Sequence, residues 1–224
     1  MDGNGRWARR QGRAVSFGHR AGVEAIRRVM YGCDDLGVEV LSVYAFSTEN
    51  WRRSRREVQG LMRLFEQTVE KEFAEIHARG IRILVSGRRE GLSARLAGQL
   101  DEAVEKTRAN VKGTLNLCLN YGGRLEIVDA VRRLIADGVP ADKVDEGALG
   151  ARLYAPDLPD PDLVIRTAGE SRASNFLLWQ SAYAEFHVTQ TLWPDFDKED
   201  LEIAIADFRG RTRRFGARPE ETKV

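Results

Sequence analysis

Cysteine, histidine, net charge and long apolar runs are all scarce in this 224-residue sequence, and each scarcity removes a class of function. Cys33 and Cys118 are the only cysteines and form no Cys-x-x-Cys pair, which leaves no disulfide framework and no zinc ribbon. Both fall in apolar stretches and read as buried, reduced thiols, in keeping with a cytoplasmic compartment. His19, His77 and His187 are scattered, so a histidine metal cluster is not expected. The net charge is only +1, which argues against a general nucleic-acid binder. There is no signal-like leader and no uncharged apolar run long enough to span a bilayer. Repeats, low-complexity tracts and Pro/Gly linkers are absent too, so the chain reads as a single domain over 1–224.

What is present is a globular composition, 42% apolar and 31% charged. Arginines cluster at 6–13, 52–56 and 209–218. A near-neutral chain with local cationic clusters suits small anionic ligands better than a polymer. Apolar positions at helical spacing (Val23, Ile26, Met30, Cys33, Leu36, then Val58 to Ile76) alternate with short β-rich runs at 38–46, 81–85, 114–119 and 162–165. That alternation predicts an α/β fold with a mostly parallel central sheet flanked by helices. Helices are also expected at 92–104, 127–135, 176–179 and 201–208. In such a fold a strand should precede the opening loop, so a first strand is expected upstream of Met1, or else the sheet begins one strand late.

The opening Asp2-Gly3-Asn4-Gly5-Arg6-Trp7 joins a carboxylate to two glycines and a guanidinium, with Arg9, Arg10, Arg13 and Arg20 close behind. Glycines admit a ligand to the backbone, and cations beside a helix start favour an anion. Asp2 would repel a phosphate unless a hard divalent cation lay between them, which reads as a Mg²⁺–diphosphate loop. On the loop alone, a charged Gly-rich turn is the simpler reading. The case strengthens because polar residues recur at other strand ends: Ser47, Glu49, Asn50 and Arg53; Asn120 and Arg124; Arg166, Glu170, Arg172 and Ser174. In a parallel sheet those ends share one edge, where ligands bind. Arginine forks there suit a diphosphate. Glu185, in apolar surroundings, needs either an arginine or a metal as partner.

These motifs, together with Gly18-His19, Tyr-Ala-Phe-Ser-Thr-Glu-Asn-Trp at 44–51, Asn-Tyr-Gly-Gly-Arg at 120–124, Ser-Asn-Phe-Leu-Leu-Trp-Gln at 174–180, Trp-Pro-Asp-Phe at 193–196 and Arg-Arg-Phe-Gly at 213–216, resemble the cis-prenyltransferases of the undecaprenyl diphosphate synthase type over nearly the whole length. The resemblance implies a Mg²⁺-dependent homodimer that adds isopentenyl diphosphate to an allylic diphosphate such as farnesyl diphosphate, giving a medium- to long-chain polyprenyl diphosphate near undecaprenyl. It implies a hydrophobic tunnel between sheet and helices, and a product that partitions into the membrane and brings the enzyme to its periphery. Asp2 and Asn50 would be catalytic. Gly3, Asn4, Gly5, Arg6, Trp7 and His19 would meet the allylic diphosphate; Phe46, Ser47, Glu49, Trp51, Arg53 and Glu57 would belong to a closing segment. Arg166, Arg172 and Ser174 would hold isopentenyl diphosphate, Glu185 would join Asp2 in metal binding, and Arg214 and Gly216 would cross the dimer.

The departures are specific. Val15 stands where the family has an arginine on the allylic diphosphate, with Arg13 or Arg10 as candidate substitutes. Ser54 replaces a proline, Gly113 removes bulk at the tunnel floor, Leu119 adds bulk, and Ala45 keeps the upper tunnel open. The Asp-rich pairs of trans-type enzymes are missing, since Asp34-Asp35 alone is adjacent and sits in a helix pattern. A non-catalytic partner subunit would have lost Asp2 and the diphosphate arginines, which are all here. A short-chain synthase is the other alternative.

Overall fold

A computed structural model describes residues 1–211, so Arg214 and Gly216 lie outside the described residues. Helix α1 (Asn4–Arg10) starts inside the opening motif itself and is followed by α2 (Val15–Leu36). Strand β1 (Val40–Ser47) leads through a tight 3₁₀ turn, Thr48–Arg52, into α3 (Arg55–Ala78). Then come β2 (Ile81–Ser86), α4 (Ala94–Thr107), β3 (Gly113–Tyr121), α5 (Gly123–Ala136) and α6 (Glu146–Gly150). Strands β4 (Leu163–Arg166) and β5 (Glu185–Val188) precede α7 (Lys198–Arg209).

Local chemistry explains the boundaries. Gly37 ends α2 in the left-handed region at φ 70. Ser54 caps α3 by accepting the Glu57 N–H at 3.3 Å, and Ser93 caps α4 through Leu96. The apolar spacing of α2 is used on two sides. Ala25, Val29 and Cys33 pack against Trp193, Phe196 and Leu201, while Met30 packs with Val43, Ile81 and Leu115 on the sheet. A further cluster, Phe46, Val58, Leu61, Leu96, Leu100 and Leu119, joins β1 and β3 to α3 and α4.

The strands are parallel as expected, but they form two sheets: β1-β3-β2, and β4-β5. A strand ahead of the opening loop is not among the described residues. The consecutive residues Val40–Tyr44 and Leu163–Arg166 line one shared cavity of about 480 Å³, as strand edges rather than faces would, and Met1 lines it too. The helix expected at 176–179 is instead a series of turns. Ser174 (φ 49), Asn175 (φ 66) and Leu177 (φ 42) are left-handed, a conformation that cannot propagate a right-handed helix. The pairing of Glu185–Val188 as β5 was not anticipated; four residues carry too little pattern.

Candidate active site

Asp2 is fixed on both sides of its peptide. Its N–H donates to Thr167 Oγ1 at 2.8 Å, that hydroxyl donates back to the Asp2 carbonyl at 2.9 Å, and the Trp193 N–H adds a bond to the same carbonyl at 2.9 Å. Thr167, 1% exposed and uncharged, gives no signal of a site role in the sequence; what it does is hold a backbone. Gly3 then turns the chain at φ 106, which side chains rarely tolerate, and its N–H donates to Asp2 Oδ1 at 2.7 Å.

From Asp2 the charges alternate in a line. Arg166 Nη2 lies 3.0 Å from Asp2 Oδ2, and Arg6 Nη2 lies 3.6 Å from Asp2 Oδ1. The same Arg6 nitrogen lies 3.3 Å from Glu170 Oε1, and Glu170 in turn pairs with Arg172. Three of the predicted residues, Asp2, Arg6 and Arg166, therefore meet directly, with Glu170 tying in Arg172. Ser174 sits two residues on in the same loop. Burial alone would raise the Asp2 pKa, but the Gly3 N–H and the charges of Arg166 and Arg6 outweigh it and hold the carboxyl below its ordinary value.

A second cluster flanks the first. His19 Nε2 lies 3.4 Å from Glu57 Oε1, and Arg53 Nη1 reaches the same oxygen at 3.0 Å. Burial lowers the His19 pKa against the pull of Glu57, so the ring is neutral at pH 7. His19 and Glu57 border a groove of about 630 Å³ between the start of α2 and α3. Val15 lines it, and the cations beside it are Arg20, Arg56 and Arg63. Arg13, a candidate substitute for the missing arginine, lies instead over the Phe17 ring, 5.1 Å from its centroid.

The segment 46–51 divides by exposure. Phe46 is 1% exposed and packs edge-on against Trp51 and Phe65, so in this arrangement it supports the turn and does not face a ligand. Asn50 Oδ1 accepts the Ser47 N–H at 3.1 Å, closing the turn. Trp51 donates from its indole to Asn120 Oδ1 at 2.7 Å, and Glu49 accepts from Asn175 at 2.9 Å. Trp7 stacks on Phe17 and donates to Asp195, away from the Asp2 line.

Glu185 takes the arginine of its two expected partners. It opens β5 opposite Leu163, whereas Arg166 ends β4 opposite Val188, so three residues, about 10 Å of strand, separate the two ends. Its carboxylate pairs with Arg211 at 2.9 Å. Within one chain, Asp2 and Glu185 are not brought together, and no group of three His, Cys, Asp or Glu suited to a metal exists among the described residues.

Six buried side-chain atoms lack a hydrogen-bond partner among the described residues, and three of them are Asn4 Oδ1, His19 Nε2 and Arg166 Nε. Asn4 is pressed onto α2, where a Cβ at Gly22 would come within 2.8 Å of its Oδ1. Buried polar atoms are normally satisfied. His19 Nε2 faces Glu57 and Asn4 Oδ1 faces α2, while Arg166 Nε, an unpartnered donor beside Asp2, suits an oxygen-rich ligand.

The fold and this edge define an α/β protein with a site for phosphorylated anions. Residues 1–216 match the family described as "Putative undecaprenyl diphosphate synthase". An isoprenyl transferase of Heliobacterium mobile is 51% identical over 220 residues, covering 96% of this chain and 85% of that one. A farnesyl-diphosphate-specific ditrans,polycis-undecaprenyl-diphosphate synthase of Aliivibrio fischeri is 44% identical over 228 residues, covering 100% of this chain and 89% of that one. The crystal structure of lavandulyl diphosphate synthase from Lavandula x intermedia, in complex with dimethylallyl diphosphate, superimposes with a TM-score of 0.93 at 35% identity, over 96% of this chain and 95% of that one. The chain belongs to the undecaprenyl diphosphate synthase family of prenyltransferases.

Proposed function

We propose that this chain is a cis-prenyltransferase that extends an allylic diphosphate, farnesyl diphosphate in the first instance, with isopentenyl diphosphate units. The observation that carries this reading is the alternating line Arg166–Asp2–Arg6–Glu170–Arg172 with the unpartnered Arg166 Nε in it. Arg166, Arg172 and Ser174 hold the isopentenyl diphosphate. Gly3, Asn4, Gly5, Arg6 and His19 hold the allylic diphosphate, whose apolar tail runs between α2 and α3.

Mg²⁺ fits the donor set. Asp2 offers one carboxylate kept ionised by its neighbours, and a magnesium ion commonly takes one or two carboxylates plus substrate phosphate oxygens. When bound, it would neutralise charge on the departing diphosphate. The chain's own groups do the rest. Arg6, His19 and the loop N–H groups position the allylic diphosphate as its C1–O bond breaks. Arg166 and Arg172 orient isopentenyl diphosphate so that its double bond forms the new bond to C1. The proton leaving C2 passes to Asp2 or to a diphosphate oxygen, with Asn50 ordering the turn above.

The homodimer is proposed on the exposed face of α5, where Val128, Val131 and Ile135 fall at helical spacing and stand 41–73% exposed. Glu185 joins a metal site only if a partner subunit supplies the remaining ligands. No helix among the described residues is long and apolar enough to cross a membrane. Peripheral membrane attachment is proposed through the polyprenyl product.

Incubation with farnesyl diphosphate and radiolabelled isopentenyl diphosphate, followed by chromatography, tests the reading. Label should appear in polyprenyl diphosphates with Mg²⁺ and vanish with EDTA while circular dichroism is unchanged. No incorporation under any divalent ion overturns it.

A further inference from the structure

The Asn120-Tyr121-Gly122-Gly123-Arg124 motif carries no part of the diphosphate line, yet it is built around contacts to the 48–52 turn. Asn120 is 5% exposed and sits at φ 51. Its amide is fully used: Oδ1 accepts the Trp51 indole N–H at 2.7 Å, and Nδ2 donates to the Arg88 and Glu90 carbonyls at 3.1 and 2.8 Å. Asn175 also stands at a left-handed φ, 66, and also spends both amide ends. Its Nδ2 donates to Glu49 Oε1 at 2.9 Å, while its Oδ1 and backbone carbonyl accept the Arg124 and Gly123 N–H groups at 2.9 and 2.8 Å. Gly122, the N-cap of α5, has no side chain to do this. Asn175 therefore caps α5 from a distant loop. A Cβ at Gly122 would lie 2.7 Å from Thr48 Oγ1 and 2.8 Å from Asn175 Nδ2, so glycine is what lets turn and loop close on the same spot.

We propose that Asn120 and Asn175 are positioning residues that clamp the 48–52 turn against the β3–α5 junction, and that Asn175 ties this turn to the loop carrying Arg172 and Ser174. The turn bears Glu49, Asn50 and Trp51, and the loop bears the groups assigned above to isopentenyl diphosphate, so the catalytic part of this inference rests on the proposed function. The clamp has two independent pins. One fixes the turn to β3 and the 88–90 loop; the other fixes it to the 166–175 loop and to α5. Filling of the 166–174 loop by substrate thereby transmits to the turn through a single amide.

Hydrogen exchange read by mass spectrometry on the substrate-free full chain tests the clamp without any assay of turnover. Asn120→Gly removes one pin while suiting the left-handed backbone. Asn175→Asp keeps an acceptor for the α5 N–H groups but sets a carboxylate against Glu49. Each should raise exchange across 47–53 by about tenfold, leaving α7 and β2 as in the wild type. In the kinetics, Asn175→Asp should raise the KM for isopentenyl diphosphate about fivefold and Asn120→Gly less than about twofold, because only Asn175 lies in that loop. Asn120→Asp keeps the acceptor for Trp51 but sets a carboxylate oxygen against the Arg88 and Glu90 carbonyls, so it too should raise exchange across 47–53. Should either asparagine variant lose protection globally, Trp51→Phe and Glu49→Leu break the same bonds from the turn and replace it in the test. Exchange over 47–53 unchanged in both pin variants overturns the clamp. An inactive wild type with the expected exchange pattern would instead reject the proposed reaction and leave the clamp standing.

Discussion

Arg166 at the end of β4 holds Asp2 with Nη2 3.0 Å from Oδ2, across 164 positions of sequence. This contact makes the opening loop and the β4 loop one site. On the proposed function it also accounts for a carboxylate in a diphosphate site before any ligand arrives, since Asp2 and Arg166 neutralise one another. Ligand binding then exchanges partners and does not charge a bare surface.

Asp2→Ala should abolish turnover while preserving the fold, since Asp2 packs little and its backbone bonds to Thr167 and Trp193 remain. The pKa of Asp2 is depressed in the folded chain. Its contribution to stability is therefore present above the unfolded value, about 3.9, and is lost as pH falls through the folded one. Asp2→Asn removes that titration, so its denaturation midpoint should lie below that of the wild type at pH 7, and the two should converge as pH falls below about 4. A neutral-pH loss of cooperative unfolding would mean that Asp2 is structural.

Arg166→Ala should raise the KM for isopentenyl diphosphate more than that for farnesyl diphosphate, losing a charge-assisted contact of roughly 1.5–3 kcal/mol. Arg166→Lys should recover little, because a point charge cannot bridge Asp2 and a phosphate as a fork does. Equal rises for both substrates would show that the two diphosphate sites are assigned to the wrong loops.

Much of this was legible in the sequence for identifiable reasons. The long apolar face of α3 and the continuous run of β1 carry strong periodic signals, and charge at strand ends pointed to Asp2, Arg6 and Arg166, which do meet. What stayed hidden has equally physical causes. Left-handed residues at 174, 175 and 177 break a segment whose side chains look helical. The division into two sheets depends on which edges pair, which no residue type encodes. Thr167 and Asn175 act through backbone contacts to distant loops, and the packing that buries Phe46 against Trp51 and Phe65 is not visible in its motif.

Both thiols should be inert in the native chain. Burial pushes the Cys33 thiol up to about 12, and burial and then the nearby Glu126 carboxylate raise Cys118 well above its ordinary value. Iodoacetamide at pH 8 should label neither residue until denaturant is added, when both react. Fast labelling of Cys33 in the folded state would contradict its packing against Trp193 and Phe196.

On the proposed function, product length should be set on one face of the sheet. Leu115 and Leu117 line an apolar cavity of about 80 Å³ with Val23, Ile26 and Met30 of α2 and Phe73 of α3. Side chains alternate along a strand, so Gly113 and Leu119 share that face of β3. Register pairs Val43 with Leu117 but shifts between Tyr44 and Phe46, so Phe46 lies opposite Leu119, and Ala45 packs against the cluster that holds both, at the end of β1 nearer Asp2. Gly113 lies at the opposite end, opposite Ile81. The cavity is far too small for a long polyprenyl chain, so α2 and α3 must part as the hydrocarbon grows; burial of about 0.8 kcal/mol per CH₂ favours that opening. Ala45 leaves the entrance clear, and Gly113 leaves the floor without a side chain, a Cβ there meeting only the Glu39 carbonyl at 3.6 Å. Ala45→Leu should therefore truncate products sharply, while Gly113→Leu, which has room for its side chain, should shorten them by only a few units. Chromatography of products from farnesyl diphosphate and labelled isopentenyl diphosphate decides the matter. A wild-type enzyme that stops after one addition, or an Ala45→Leu variant whose products keep their full length, would show that the hydrocarbon takes another path.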